Sequence, residues 1–259
     1  MNELIPFHWA VLILGSAIMG LSKGGIPGAG NLTVALFALV LEDALGPAGV
    51  ALSVGLLLPV LISADLVSTI VYRKYVDWAH VRRLLPYFML GVIAGWWVFD
   101  FFQSEEKART LKVLIGVILL GITALRFITL RIAKKKNSDY VEIPLFYGPP
   151  LGIFGGVATM LANAAGPIAQ FYLLAMRLPK YAFIGTSAWL FLIVNVSKVP
   201  LMIELEILNQ EIFSVSAWLF PPAILGAVVA PKIVRYIRQD WFERLIWFFI
   251  VIAGLRMIF

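Results

Sequence analysis

Cysteine is absent from this sequence, which excludes disulfides, thiolate metal sites and cysteine nucleophiles. Histidine is nearly so: His8 lies near the N-terminus and His80 in a basic loop, and no other is present. No histidine pair is therefore spaced to hold zinc. Charged residues make up only 14% of the chain. They form no carboxylate pair inside an apolar stretch, and no phosphate-binding loop stands beside a nucleotide domain. The chain offers no catalytic set, no metal site and no cofactor site. The period-2 alternation of a β-barrel is missing too. Apolar residues fill the space instead, at 61% of the chain, more than a water-soluble domain can hide.

Uncharged runs at Leu4–Ser22, Gly24–Leu41, Ala44–Ala64, Leu145–Met176, Tyr181–Ser197 and Ile212–Pro231 approach or exceed the roughly 20 residues of one helical crossing. The expected class is all-α, a polytopic membrane protein. The N-terminus lacks the basic flank of a cleavable signal and is expected to belong to the mature fold. The net charge of +6 would suggest nucleic acid in a soluble protein. Here the cations sit in short loops between apolar runs, where they set orientation. Clusters at Arg73/Lys74/Arg82/Arg83, Arg131/Lys134/Lys135/Lys136, Arg177/Lys180 and Lys232/Arg235/Arg238/Arg244 are expected on the cytoplasmic side of a cell (inner) membrane. Both termini then fall outside.

Two interruptions divide the apolar stretches. The first is Gly20-Leu-Ser-Lys-Gly-Gly-Ile-Pro-Gly-Ala-Gly-Asn31, and the second is Gly156-Val-Ala-Thr-Met-Leu-Ala-Asn-Ala-Ala-Gly-Pro167. Superposed without a gap, they place Gly20 on Gly156, Lys23 on Thr159, Pro27 on Asn163 and Gly30 on Gly166. Further matches are Pro86-x4-Gly91 with Pro221-x4-Gly226, and Asp65 with Asn195. The expectation is one transporter domain over residues 1–259, made of a first repeat (1–130), a cytoplasmic linker (131–142) and an inverted second repeat (143–259). Each repeat holds a broken or re-entrant helix pair plus three spans, about eight to ten membrane segments in all. The pairs are Ile5–Ser22 with Asn31–Leu41, and Leu145–Leu161 with Pro167–Met176. The spans are Gly46–Tyr72, Val81–Phe101, Leu111–Leu130, Ala182–Ile203, Phe213–Val234 and Trp241–Ile258. Broken helices at matching places in two halves are the best sequence pointer to a transporter's binding site.

The chemistry follows from what a break does. Gly24, Gly25, Pro27, Gly28 and Gly30 interrupt the first pair, and Gly166 and Pro167 the second. Asn31 is placed to cap the helix after the first break, with Asn163 or Gly166 before Pro167 at the second. A restarted helix points free N–H groups and partial positive charge inward, which suits an anion. Lys23, inside the first break, is expensive at membrane depth and is expected to attract that anion. Asn195 and Lys198, three residues apart, share a helix face. Thr186 and Ser187 offer hydroxyls at the start of the same span. Asp65, inside an apolar run, reads either as a proton-coupling group or as the structural partner of a lysine such as Lys198.

The quoted motifs resemble the TauE/SafE family of sulfite-exporter-type membrane proteins. The first half carries the resemblance in Gly20-Leu-Ser-Lys-Gly-Gly-Ile-Pro27, Ala64-Asp65-Leu66 with Val71-Tyr72-Arg73, and Val76-Asp-Trp78. The second carries it in Ala158-Thr-Met-Leu-Ala-Asn-Ala-Ala-Gly-Pro167, Gly185-Thr-Ser-Ala-Trp189 and Asn195-x-x-Lys198-x-Pro200. It spans nearly the whole chain and implies multi-pass transport of sulfur-containing anions such as sulfite, sulfoacetate or other organosulfonates, mostly outward. The expected function is a secondary transporter of small anions working by alternating access, with an anion channel of the same fold or proton-coupled uptake as alternatives. The expected partners are that small anion and membrane lipid, not nucleic acid; the oligomeric state is left open.

Overall fold

The computed structural model describes residues 3–26, 29–102, 148–176 and 178–234, with scattered positions between 107 and 124. The expected spans Leu111–Leu130 and Trp241–Ile258, and the linker, lie wholly or largely outside the described residues. Within them the helices run α1 (Pro6–Lys23), α2 (Ala29–Leu45), α3 (Ala48–Val71), α4 (Trp78–Phe102), α5 (Gly148–Ala162), α6 (Gly166–Ala175), α7 (Lys180–Glu204), α8 (Gln210–Trp218) and α9 (Phe220–Val234). No strand occurs among the described residues. Helices α3, α4 and α7 are long and apolar enough to cross a membrane.

Helix α3 is the centre. It has almost no polar face, as in Leu56-Leu-Leu-Pro-Val-Leu61, and it is buried on nearly every side. Helix α4 instead turns Leu90, Ile93, Trp97 and Phe101 outward. Such a face is a liability in water and ordinary against lipid.

Both breaks are reversals of the chain, not kinks. Helices α1 and α2 lie antiparallel: Thr33 Oγ1 donates to the Gly15 carbonyl at 2.9 Å, and His8 Nε2 near the start of α1 meets Asp43 near the end of α2 at 3.1 Å. Helices α5 and α6 do the same, with the ring of Tyr172 against Gly148. Each hairpin packs on a span distant in sequence, α1 on α9 and α5 on α4. Small residues permit this. A Cβ added to Gly20 would overlap the Ala223 carbonyl, and one on Gly226 would overlap that of Ala17. Likewise a Cβ on Gly156 would overlap the Phe88 carbonyl, and one on Gly91 that of Ile153. With only hydrogens there, backbones touch, which is how helices associate where no water drives them together.

The expected span Phe213–Val234 is two helices, α8 and α9, bent by 45°. Its apolar run gave no sign of this, but Pro221 and Pro222 supply no N–H to the carbonyls one turn earlier. The chain tightens there instead, with the Leu219 amide donating to Ser216 O at 2.9 Å.

The turn from α3 to α4 is held by Asp77. Its Oδ1 accepts from the amides of Ala79 (3.0 Å) and His80 (3.4 Å), as an N-cap of α4. Slight burial would raise its pKa, but the hydrogen bonds from His80 and these amides outweigh it and hold the carboxyl below its ordinary value. A depressed pKa means stabilisation that is present above the unfolded value and lost as pH falls through the folded one. Asp77→Ala is expected to lower stability by about 1 kcal/mol, and the difference from the parent should narrow in acid melts.

Candidate functional site

The two hairpin tips meet. A cavity of about 70 Å³ is lined by Ser22, Lys23, Gly30 and Asn31 from the first break and by Thr159, Asn163, Ala165 and Gly166 from the second. Asp65 of α3, Gln170 of α6, and Ser187, Phe191 and Asn195 of α7 complete its polar and aromatic wall. That volume suits a few waters or one small ion.

The first tip is built by glycine. Helix α1 ends with the Gly25 amide donating to Ser22 O (3.3 Å) and the Ile26 amide to Leu21 O (3.1 Å), with Gly25 at φ +126°. This paired reversal needs a residue free to adopt positive φ. Helix α2 then restarts at Ala29. The expected cap, Asn31, is not the one used: Ser22 Oγ accepts from the Gly30 amide at 3.0 Å. Asn31 lies within the first turn, buried, and its Nδ2 has no hydrogen-bond partner among the described residues.

The second tip is built by asparagine. Of the two residues expected to open α6, Gly166 begins it, whereas Asn163 closes α5. It sits at φ +51°, where asparagine is among the few side chains tolerated, and its amide donates to Thr159 O at 3.0 Å. Its side chain is fixed at both ends: Nδ2 donates to the Val54 carbonyl (2.9 Å) and Oδ1 accepts from Lys198 (2.6 Å).

The charges sort differently from expectation. Asp65 is fully buried and pairs not with Lys198 but with Lys23, whose Nζ lies 2.9 Å from Oδ1 and 3.1 Å from Oδ2. Asn195 Nδ2 donates to the same carboxylate at 2.8 Å. Lys23 also lies over the Phe191 ring, 4.5 Å from its centroid, a cation–π contact. Lys198 is fully buried behind the cavity and not in its wall. Its Nζ donates to Thr159 O (2.8 Å), Thr159 Oγ1 (3.2 Å) and Asn163 Oδ1 (2.6 Å). These three contacts satisfy the nitrogen in full.

These lysines share an electrostatic task. Both first helices of the hairpins, α1 and α5, bring their C-terminal partial negative charge to the cavity. Lys23 stands in the last turn of α1, and Lys198 Nζ donates to a carbonyl in the last turn of α5, so each end meets a lysine donor. The N-termini of α2 and α6 are then left as the uncompensated dipole ends.

Of the expected residues, Lys23, Asn31, Asp65, Asn163, Ser187 and Asn195 come together, and Gly30 and Gly166 line the same space. Thr186 does not join them; its Oγ1 accepts from the Asp77 amide at 2.9 Å and ties α7 to the α3–α4 turn. Ser187 Oγ donates back to Ile184 O. Gln170 and Phe191 were missed. Gln170 stands one helical turn after Gly166 and so on the same face as the restarted end, a spacing visible in the sequence.

Apolar crossing helices wrapped round a buried polar cavity define a multi-pass membrane protein. The model of the family described as Sulfite exporter TauE/SafE matches residues 12–257. The chain belongs to that family of membrane transporters. Among curated proteins and among solved structures no match was found.

Proposed function

We propose that the protein is a secondary transporter that carries small anions, sulfur oxyanions or organosulfonates, out of the cell by alternating access around the cavity between the hairpin tips. The observation that carries this reading is the convergence of two restarted helix N-termini and Lys23 on one buried space. Positive ends of interrupted helices facing a shared cavity are how transporters hold anionic groups.

Inverted repetition is supported by the contacts of the small residues. Gly20 with Gly226 and Gly156 with Gly91 are one contact made twice, with the roles of the halves exchanged. Gly24 against Ala230 and Met160 against Gly95 repeat it one turn on. The basic turns then face the cytoplasm. An anion leaving an inside-negative cell gains about 2.3 kcal/mol per charge per 100 mV, so outward flow needs no coupling ion.

Purified protein in proteoliposomes is expected to exchange external for internal sulfite or sulfonate with saturable counterflow. Flux without counterflow would make it a channel, and sealed vesicles impermeable to every such anion would end the proposal. Asn31→Leu is expected to reduce anion binding about ten- to a hundredfold, the weight of one hydrogen bond to a charge. It should leave the melting temperature nearly unchanged, because Nδ2 has no partner to lose among the described residues.

A further inference from the structure

We infer that the cavity takes a hydrogen-bearing oxyanion, one with at least one O–H beside its charged oxygens, and that Asn195 Oδ1 accepts that hydrogen. The inference rests on the anion reading above and adds the form in which the anion is held. The cavity wall has two sides of opposite hydrogen-bonding character. On the hairpin side stand the restarted ends of α2 and α6, with Asn31, whose buried Nδ2 has no hydrogen-bond partner among the described residues. These are donors, and they suit the oxygens of an anion.

The α7 side is the reverse. Ser187, Phe191 and Asn195 recur at successive turns of α7 and share one face. Ser187 spends its hydrogen on the Ile184 carbonyl, so its oxygen is left as an acceptor. Asn195 directs Nδ2 to Asp65 Oδ2 at 2.8 Å, an oxygen that also takes a hydrogen bond from Lys23. Turning the amide round would set oxygen against oxygen, so the network fixes Oδ1 as the free end. That Oδ1 is buried and has no donor among the described residues. A buried acceptor left without its hydrogen bond is costly. An anion that offers oxygens alone satisfies the hairpin side and leaves Oδ1 stranded, whereas one with an O–H satisfies both. A site that holds a hydroxyl in this way rejects the analogue lacking it, because its own polar groups are then unpaired.

Methylphosphonate, methanesulfonate and dimethylphosphinate are nearly the same shape, and at mildly acidic pH each carries one negative charge. Of the three, methylphosphonate alone then keeps an O–H. Binding of each to the full-length detergent-solubilised protein is measured by calorimetry at one pH and ionic strength. Methylphosphonate is expected to bind at least about tenfold more tightly than either of the others, the weight of one hydrogen bond to a buried acceptor. Asn195→Leu should abolish that preference. Asn31→Leu should weaken all three probes alike and preserve it. The comparison on the parent protein decides the matter even where a variant fails to fold. Equal binding of the three by the parent, or a preference that survives Asn195→Leu, overturns the inference and leaves the anion reading standing. If none of the three binds, the inference falls; if no other small anion binds either, the anion reading falls with it.

Discussion

Lys23→Ala is expected to cut anion transport by about ten- to a hundredfold, the equivalent of one charge-assisted hydrogen bond of about 1.5–3 kcal/mol. It should also destabilise the fold. Asp65 is fully buried and bonded to Lys23, and removing one partner of such a pair typically costs about 3–5 kcal/mol, because the other charge is left stranded. The two effects are separable. The double replacement Lys23→Met with Asp65→Asn removes both charges at once, and apolar or neutral substitutes for a buried pair are often neutral or stabilising. It should recover the melting temperature and not the flux. Recovery of both would reduce Lys23 to a structural counter-ion and remove it from the transport site.

The second large effect is expected at the helix crossings. Gly91→Ala and Gly20→Ala should each destabilise by more than about 3 kcal/mol, beyond the usual 1–3 kcal/mol of overpacking. In both cases the added methyl meets a backbone carbonyl of the facing helix, Ile153 or Ala223, and no rotamer change relieves it. Gly121 is the control. It is helical, with no atom of the described residues within 4 Å of a Cβ added there, so alanine there should stabilise slightly through helix propensity, by up to about 1 kcal/mol. Melting followed by tryptophan fluorescence in detergent would rank the three. Equal behaviour of Gly91→Ala and Gly121→Ala would refute the account of the crossing.

How the sequence reading fared follows from the range of each interaction. The hairpin tips were legible because glycine, asparagine and proline act on their own backbone, and both breaks fell where those residues cluster. Lys23 and Asp65 were legible as costly charges in apolar runs. Their pairing was not, since 42 residues separate them and two reversals, at Gly25 and at Gly46, bring them together. Lys198 was expected to line the cavity and instead stands behind it at the end of α5, because its acceptors, Thr159 and Asn163, lie far from it in sequence. Local rules also misled twice. Asn31 is a good capping residue that goes unused, since Ser22 folds back from the previous helix to do the work. The double proline at 221 and 222 bends a run that composition alone reads as straight.

The two lysines differ in when their partners are synthesised. A chain made from its N-terminus has Lys23 in hand before Asp65, so the first pair can be neutralised as soon as α3 enters the bilayer. Lys198 arrives on α7 after Thr159 and Asn163 have already been made, and it meets a waiting set of acceptors. Asn195 then reaches back across 130 residues to the early carboxylate. That late bond links the first half to the second, so the early carboxylate has its full set of donors only once α7 is in place.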